Sequence, residues 1–303
     1  MIAEEVYSGL GYSGYALVQG IPIPLLPGNA TENENIIKSS GAYHYDPFWA
    51  VGEVPVKNRR SLSLTFSTFI CKRTMPIVKL LSYDWRSSPD KMDNVSETQF
   101  SLYPAVGEGY DGFGYVDEIT MSGAPDALVS LNITMTTWVW KEVQAPQSWR
   151  LPYGAGVIAP FTDVYKPIAG WQTIPSFSVI SDQAIPMSWT LTLRNNWQYQ
   201  SFLAGYTQPP NPALITAGDL DVIFTMSWLA VRNSRPLESG NLRLQIGGTP
   251  IGMSPSIAPL DVIYIDKLIR DPQRSFAGTA EPNGPIRWEA SYYVQGSLPK
   301  STN

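Results

Sequence analysis

The sequence predicts a mainly β protein with an internal duplication. Apolar and polar residues alternate along several segments, 24 Gly and 26 Pro are spread over 303 residues, and helical periodicity is scarce. Many short strands joined by turns produce this combination, whereas long helices do not. The second half of the chain also repeats the order of patterns found in the first.

Four segments show the alternation most clearly, at residues 61–66, 131–135, 188–193 and 219–228. In the first segment, Leu62, Leu64 and Phe66 share one face, and Ser63 and Thr65 lie on the other. Successive side chains of a strand point to opposite faces, so each segment is expected to bury its apolar face. The remaining face of each strand is rich in Ser and Thr and carries almost no charge.

These segments form two related pairs. Residues 61–66 and 188–193 share the pattern Ser-apolar-polar-apolar-Thr-apolar, and the long segments 126–139 and 218–229 both contain Thr-Met followed by Thr or Ser. A short helix is expected after the first member of each pair, at 74–81 with Thr74 as its cap and at 196–205 with Gly205 as its end. The repeated order predicts two domains, residues 1–148 and 149–303.

The two halves differ between the expected helix and the long strand. In the first half this stretch covers residues 82–117 and contains a Gly- and Tyr-rich part at 107–115. In the second half it is short and rich in Pro. A loop as long as 82–117 inside a compact domain usually has a function or makes a contact.

The composition excludes several classes of protein. A single His and a single Cys leave no intramolecular disulfide and no zinc site built from Cys and His. A formal net charge of −5 without any Lys/Arg run argues against a protein that binds nucleic acid by neutralising phosphates. No signal peptide is expected at the N-terminus, and no window reaches the ~20 apolar residues of a membrane span.

For each candidate catalytic motif, a purely structural role explains the residues better than catalysis does. Residues 9–14 match G-x-G-x-x-G, but no buried strand precedes them and a strand is expected after them, so we expect a glycine-rich arm. Cys71 and His44 are expected to be a packed residue and a loop residue. The carboxylate pairs that a glycosidase would need are Asp117/Glu118, Asp219/Asp221 and Asp261/Asp266. We expect no catalytic residue, no metal site and no cofactor.

Part of the second half resembles the tail-tube module of long-tailed bacteriophages. That module carries Ser-apolar-Thr-Leu followed by Asn-Asn, and later Gly-Asp-Leu-x-Val. Here the matching residues are 188–193, Asn195 with Asn196, and 218–222. The first half is similar to a more divergent copy, and residues 15–43 are similar to the start of such proteins, with a strand hairpin before a polar loop. The stretch 82–117 departs from the family pattern.

The resemblance implies two tandem tail-tube-like β-sandwich or barrel domains, each with one short flanking α-helix. Subunits of the family join their inner strands into a β-barrel around a pore that conducts DNA. Six modules usually make a ring, so a chain with two modules is expected to close as a trimer with pseudo-sixfold symmetry, with a hexamer as the alternative. The chain is then a structural protein of the virion, assembled in the host cytoplasm. Its partners are further copies of itself and the tape-measure, baseplate and sheath proteins of the tail, without a membrane.

The polar strand faces suit such a pore. Basic side chains in a water-filled conduit would bind the phosphates of DNA and stall it, whereas hydroxyls let DNA pass without specific binding. We expect the lumen to be lined by Ser63, Thr65, Thr134, Thr136, Thr190, Thr192, Asp219, Asp221, Thr225 and Ser227. Because Gly/Tyr-rich loops adapt to a partner at low entropic cost, a ring-to-ring contact is expected at Gly107, Tyr110, Phe113 and Tyr115.

Two alternatives stay open at this point. A baseplate hub or distal-tail protein uses the same kind of module but forms one ring and stops. A carbohydrate-binding or carbohydrate-active β-sandwich would use the many aromatic residues as a sugar platform.

Overall fold

A computed structural model describes residues 15–24, 30–34, 61–77, 98–105, 108–143, 167–177, 184–200, 214–216, 220–230, 238–248, 258–271, 277–280, 286–294 and 300–301. The mainly β class predicted above is confirmed in these residues. The strands are β1 (Tyr15–Val18), β2 (Ile21–Pro24), β3 (Ala30–Glu34), β4 (Leu62–Phe69), β5 (Thr98–Ala105), β6 (Glu108–Gly123), β7 (Ser130–Val143), β8 (Thr173–Phe177), β9 (Ala184–Asn195), β10 (Gln198–Gln200), β11 (Leu214–Thr216), β12 (Leu220–Ala230), β13 (Ser239–Ile246), β14 (Asp261–Arg270), β15 (Ala277–Ala280), β16 (Ile286–Val294) and β17 (Lys300–Ser301).

Fifteen of the described strands belong to one antiparallel sheet, and β10 pairs separately with β11. The main path of the sheet runs β2-β1-β5-β6-β9-β12-β16-β14-β13-β8. Three further strands extend the sheet from β6, because β6 also pairs with β7, β7 pairs with β4, and β4 pairs with β3. Strand β6 therefore has β7 along one edge and shares its second edge between β5 and β9.

The alternation predicted from the sequence is confirmed. Along β4 the residues Leu62, Leu64 and Phe66 are buried, and the residues between them are half-buried. The same alternation runs through β7 as far as Thr137. The apolar faces of both halves belong to one hydrophobic cluster, so the sheet folds with its apolar face inside. Burying this face supplies most of the driving force for folding, at roughly 25 cal/mol per Å².

The two halves are joined by strand pairing. Residues 118–123 of β6 pair with residues 189–194 of β9, so the sheet continues from the first half into the second. A second connection is an isolated bridge between Leu128 and Ala169, where the Val129 N–H donates to the Ile168 carbonyl at 2.8 Å. The division into domains 1–148 and 149–303 stays a prediction, and the described halves share one sheet.

The duplicated segments form the same kind of pair in both halves. Strand β4 pairs with β7, and their counterparts β9 and β12 also pair, in both cases antiparallel. The registers differ: Thr65 lies opposite Thr134, whereas its counterpart Thr192 lies opposite Ile223. The difference is two residues, an even number, so both pairs keep their apolar residues on the same face of the sheet.

The start of the described chain agrees with the strand hairpin implied by the resemblance. Strands β1 and β2 pair through a two-residue turn in which Gln19 and Gly20 have φ of 49° and 72°. Positive φ at both positions is characteristic of the turns that join tight hairpins. The polar loop expected after the hairpin is partly wrong, because β3 lies within it and pairs with β4. The G-x-G-x-x-G residues 9–14 lie outside the described residues.

The helix predictions need correction. A helical turn occurs at 75–77, and residues 78–81 lie outside the described part of the chain. Thr74 does not cap in the expected way, because its hydroxyl accepts from Cys71 N and donates to Phe69 O, each at 2.9 Å. The helix predicted at 196–205 is wrong at 198–200, which form β10. Trp197 and Tyr199, two positions apart, both reach the middle of β6 as a strand allows.

The stretch 82–117 is not one long loop. Its described part contains β5, and β6 begins at Glu108, so the Gly- and Tyr-rich residues from 108 onward are strand. Glycine hides the alternation because it has no side chain to assign to a face. A Cβ on Gly112 would overlap the Val139 carbonyl oxygen, and one on Gly114 would lie 2.9 Å from the Thr136 carbonyl oxygen. These glycines let β6 and β7 approach closely.

The close approach at Gly112 predicts a stability effect. Gly112→Ala should lower the free energy of unfolding by about 1–3 kcal/mol, because the added methyl meets backbone atoms of β7 that cannot move aside cheaply. Urea unfolding followed by tryptophan fluorescence measures this change. The control is Gln99→Ala on β5, an exposed position expected to change stability by less than about 0.5 kcal/mol. Equal effects of the two substitutions would contradict the packing described here.

Candidate functional site: a polar face across six strands

A continuous polar face crosses β4, β7, β6, β9, β12 and β16, in that order, opposite the apolar core. Both halves contribute to it, because β4, β7 and β6 belong to the first and β9, β12 and β16 to the second. The described side chains of this polar face are Ser63, Thr65, Ser67, Ser130, Asn132, Thr134, Thr136, Glu118, Thr120, Ser122, Ser188, Thr190, Thr192, Arg194, Asp221, Ile223, Thr225, Ser227, Arg287, Glu289, Ser291 and Tyr293.

Strand register aligns these side chains in rows. One row passes through Thr65, Thr134, Glu118, Arg194 and Asp221 on five neighbouring strands. The next rows hold mostly hydroxyl and amide groups. Side chains directly opposite one another on neighbouring strands are close enough to interact, so each row is a chain of possible hydrogen-bond partners.

Hydroxyl groups of the polar face bond to one another across the strands. Thr120 Oγ1 lies 3.2 Å from Thr192 Oγ1, which connects the two halves of the chain. The other pairs are Ser122 with Ser130 at 2.6 Å, Ser188 with Ser227 at 2.7 Å, Thr225 with Ser291 at 2.8 Å, Thr65 with Thr134 at 3.4 Å, and Ser67 donating to Asn132. These pairs partly satisfy the hydroxyls within the protein and fix their orientation.

The structure brings together nearly all the residues predicted to line a lumen. Seven of them are half-buried on the polar face, namely Ser63, Thr65, Thr134, Thr136, Thr190, Thr192 and Thr225. Asp221 is exposed there, and Asp219 lies outside the described residues. Ser227 differs, because it is only 3% exposed and its hydroxyl bonds to Ser188 instead of solvent.

The described polar face carries five charged side chains, of which Arg194 and Glu118 form an ion pair. Arg194 lies between two carboxylate positions, with Glu118 opposite it on β6 and Asp221 opposite it on β12. Its Nη2 is 2.6 Å and its Nε 2.7 Å from Glu118 Oε2, so the guanidinium is neutralised within the protein. The other charged side chains described on this face are Arg287 and Glu289, both exposed on β16.

A half-buried carboxyl group lies beside the polar face where β6 changes partner. Asp117 sits at an irregularity in the β6–β7 pairing, between the part of β6 that pairs with β5 and the part that pairs with β9. It accepts hydrogen bonds from Thr136 Oγ1 at 2.5 Å and from the Tyr199 hydroxyl at 3.1 Å. Burial raises the pKa of Asp117 above its ordinary value, and the two hydrogen bonds oppose the shift. Burial, followed by the nearby Asp117, likewise raises the pKa of Tyr199.

An aromatic cluster contacts this carboxyl group through the Tyr199 hydroxyl. The Trp138 and Tyr199 ring centroids are 4.4 Å apart, and Tyr115 lies 6.2 Å from Trp138 and 5.7 Å from Trp197. The Trp197 indole N–H also donates to the Val116 carbonyl at 2.9 Å. The rings pack on each other and hold the start of β10 against the main sheet. Such mutual packing covers faces on which a sugar ring would stack.

The residues predicted for a ring-to-ring contact separate into two groups. Phe113 is 45% exposed and lies opposite Val139, which is 46% exposed, so both side chains point away from the core. Tyr110 is half-buried near the same end of β6. Tyr115 is 8% exposed within the aromatic cluster, so its ring is largely taken up inside the protomer. Gly107 lies outside the described residues.

The candidate enzyme residues do not form a site where they are described. Cys71 is buried, as expected for a packed residue, and His44 lies outside the described residues. Asp117 and Glu118 bond to separate partners. Asp261 is buried and accepts from Val262 N at 2.7 Å, whereas Asp266 is exposed. In the part of the chain that the structure describes, no three His, Cys, Asp or Glu side chains are grouped to hold a metal ion.

Comparison with known proteins assigns no family. No protein-family model matches the chain, and no curated protein matches it. None of the helical segments among the described residues is long and apolar enough to cross a membrane.

Sequence reasoning missed the partners of Asp117 and Arg194. The sequence pattern indicates Asp117 only as half of a carboxylate pair and predicts a helix at Tyr199. The available signal was the spacing of Trp197 and Tyr199, which places both rings on one side of a strand. No local pattern marks Glu118 and Arg194 as neighbours, because they are 76 positions apart.

The raised pKa of Asp117 predicts a pH-dependent stability. A carboxyl whose pKa is higher in the folded state favours folding when protonated, and this contribution is lost as pH rises through that pKa. Asp117→Asn should therefore raise the melting temperature at pH 7–8, and the gain should disappear near the ordinary Asp pKa of 3.8. Thermal unfolding across this range measures the difference. The exposed Asp221→Asn is the control, and a gain for Asp117→Asn that does not vary with pH would contradict the explanation.

Proposed function

We propose that this chain is a structural protein of a bacteriophage tail that polymerises as stacked rings into the tail tube, the conduit for DNA during ejection. The observation that carries the proposal is the polar face, which spans strands of both halves and presents mostly hydroxyl groups. The resemblance of the second half to the tail-tube module supports the same function. The chain acts in the virion and is assembled in the host cytoplasm.

The chemistry of the polar face suits passage of a polyanion. Each Lys or Arg that contacts a phosphate releases counterions and strengthens DNA binding, so a conduit needs few free cations. On the described polar face, Arg194 is neutralised by Glu118, Arg287 is the other basic side chain, and hydroxyls occupy most other positions. Hydroxyls keep the wall wetted and offer only neutral hydrogen bonds. DNA is then a passing cargo and not a bound ligand.

The arrangement of the halves supports a trimeric ring. Each half contributes an equivalent antiparallel strand pair to one sheet, β4 with β7 and β9 with β12. Three copies would place six such pairs around an axis, which gives pseudo-sixfold symmetry without six identical chains. A hexamer is the alternative assembly. In the tail, the tube contacts tape-measure and baseplate proteins and, where the tail contracts, a sheath.

The exposed pair of Phe113 on β6 and Val139 on β7 suits contact between successive rings. Phe113 and Val139 form an apolar pair that the described protomer leaves open to solvent. Exposed apolar neighbours of this kind favour association with another protein surface. Within the described residues of the expected contact, Phe113 is the exposed member, whereas Tyr110 is partly buried against the core.

Assembly tests the proposal directly. Negative-stain microscopy of the purified protein should show long hollow tubes, because the rings carry the contacts for stacking. Isolated rings that never elongate would favour a baseplate hub or distal-tail protein. Monomers, together with a melting temperature raised by an added oligosaccharide, would overturn the proposal in favour of a carbohydrate-binding protein.

A charge placed at the predicted contact should block elongation. Phe113→Glu should reduce the mass of sedimentable tube by about tenfold or more, because burying an unpaired carboxylate in a contact costs several kcal/mol. The protomer should keep its melting temperature, since Phe113 lies outside the core. Tyr264→Glu on β14 is the matched control, as it introduces the same charge at another exposed aromatic residue. Normal tubes from the Phe113 variant would exclude this contact.

A further inference from the structure

Arg194 is the basic side chain at the centre of the polar face. It lies on β9, beside the seam where the first half of the chain pairs with the second. Its side chain is 51% exposed, so the guanidinium is within reach of solvent. An exposed guanidinium binds phosphate oxygens through two parallel N–H groups, which makes Arg a strong phosphate ligand. A free Arg194 would therefore be a site at which DNA is held.

The surroundings of Arg194 direct it to Glu118 instead. Glu118 Oε2 accepts from two nitrogens of the guanidinium, at 2.6 and 2.7 Å, and Thr120 Oγ1 donates to Glu118 Oε1 at 3.1 Å. Thr120 is itself 3.2 Å from Thr192 on β9. The carboxylate is thus fixed at both oxygens, and the guanidinium that it binds has two of its donors occupied.

Arg194 has an acidic residue on its other neighbouring strand as well. Asp221 lies directly opposite it on β12, and Asp221 Oδ2 accepts from Asn196 Nδ2 at 3.0 Å. A phosphate that approached Arg194 would have to displace Glu118 while meeting the negative charge of Asp221. The phosphate and the Asp221 carboxylate carry like charges and repel each other. Salt weakens this repulsion but does not remove it.

We propose that Glu118 is a guard residue, which binds the Arg194 guanidinium and thereby prevents it from binding the phosphates of nucleic acid. This proposal rests on the function proposed above, in which DNA passes along the polar face without being retained. Glu118 is a positioning residue, because it acts through Arg194 and not on DNA. Removing its charge converts the centre of the polar face into a phosphate-binding site for a polyanion of any sequence.

The test compares two substitutions that change the net charge equally. Glu118→Gln frees Arg194, whereas Glu289→Gln removes one negative charge from the same face without touching Arg194. Binding of a short fluorescent DNA duplex is followed by anisotropy at salt concentrations from about 50 to 200 mM. Glu118→Gln should bind about three- to tenfold more tightly at low salt, and its log–log salt slope should steepen by about 0.9 for each phosphate contacted.

Controls separate the guard role from general effects. Glu289→Gln should match the unmodified protein, and the double variant Glu118→Gln with Arg194→Gln should lose the gain. Equal DNA affinities of the two single variants, or a gain that persists without Arg194, would overturn the proposal. Melting temperatures of all variants are measured in parallel, so that an unfolded variant is recognised, and Glu118→Ala then supplies a second way to free Arg194.

Tube formation is scored separately by microscopy. If the unmodified protein forms no tubes, the tail function fails, but the comparison of DNA affinities still decides what Glu118 does to Arg194. If tubes form and the two affinities are equal, the tail function stands and the guard role is wrong.

Discussion

The structure depends on the way β6 divides one of its edges between two partners. Up to Gly114 this edge pairs with β5, and from Glu118 onward it pairs with β9. The short interval between them is closed by side chains, since Asn195 Nδ2 and Trp197 Nε1 both donate to the Val116 carbonyl. Without this exchange of partners, the strands of the second half would not continue the sheet of the first, and the polar face would end at β6.

The two faces of the sheet have unequal roles. Burial of the apolar face supplies the free energy that offsets chain entropy, whereas a hydroxyl pair across strands contributes only about 0.2–1 kcal/mol. The residues of the polar face can therefore suit a function with little effect on the free energy of unfolding. Asp117 is a local exception, because burial raises the pKa of this carboxyl and its ionised form therefore opposes folding. The fold tolerates this loss of stability because burial of the neighbouring apolar side chains offsets it.

Alternation of apolar and polar residues predicted the strands whose pattern is visible within a single segment of the sequence. Alternation at 61–66, 131–135, 188–193 and 219–228 correctly indicated β4, β7, β9 and β12 and half of the members of the polar face. It could not reveal β6, where Gly109, Gly112 and Gly114 interrupt the alternation, or β10, where Asn195 and Asn196 suggested a helix cap. Pairing between β6 and β9 joins distant parts of the chain, so the contact of Glu118 with Arg194 required the fold itself.

The two-residue difference in register makes the halves chemically unequal. In the first half, Thr65 meets Thr134, and the row continues with polar groups. In the second, Thr192 meets Ile223, which in turn lies opposite Tyr293. An apolar spot thus interrupts the hydroxyl surface of the described polar face. In the trimeric ring proposed above, each chain would add such a water-repelling spot to the wall, which would then repeat every 120° and not every 60°.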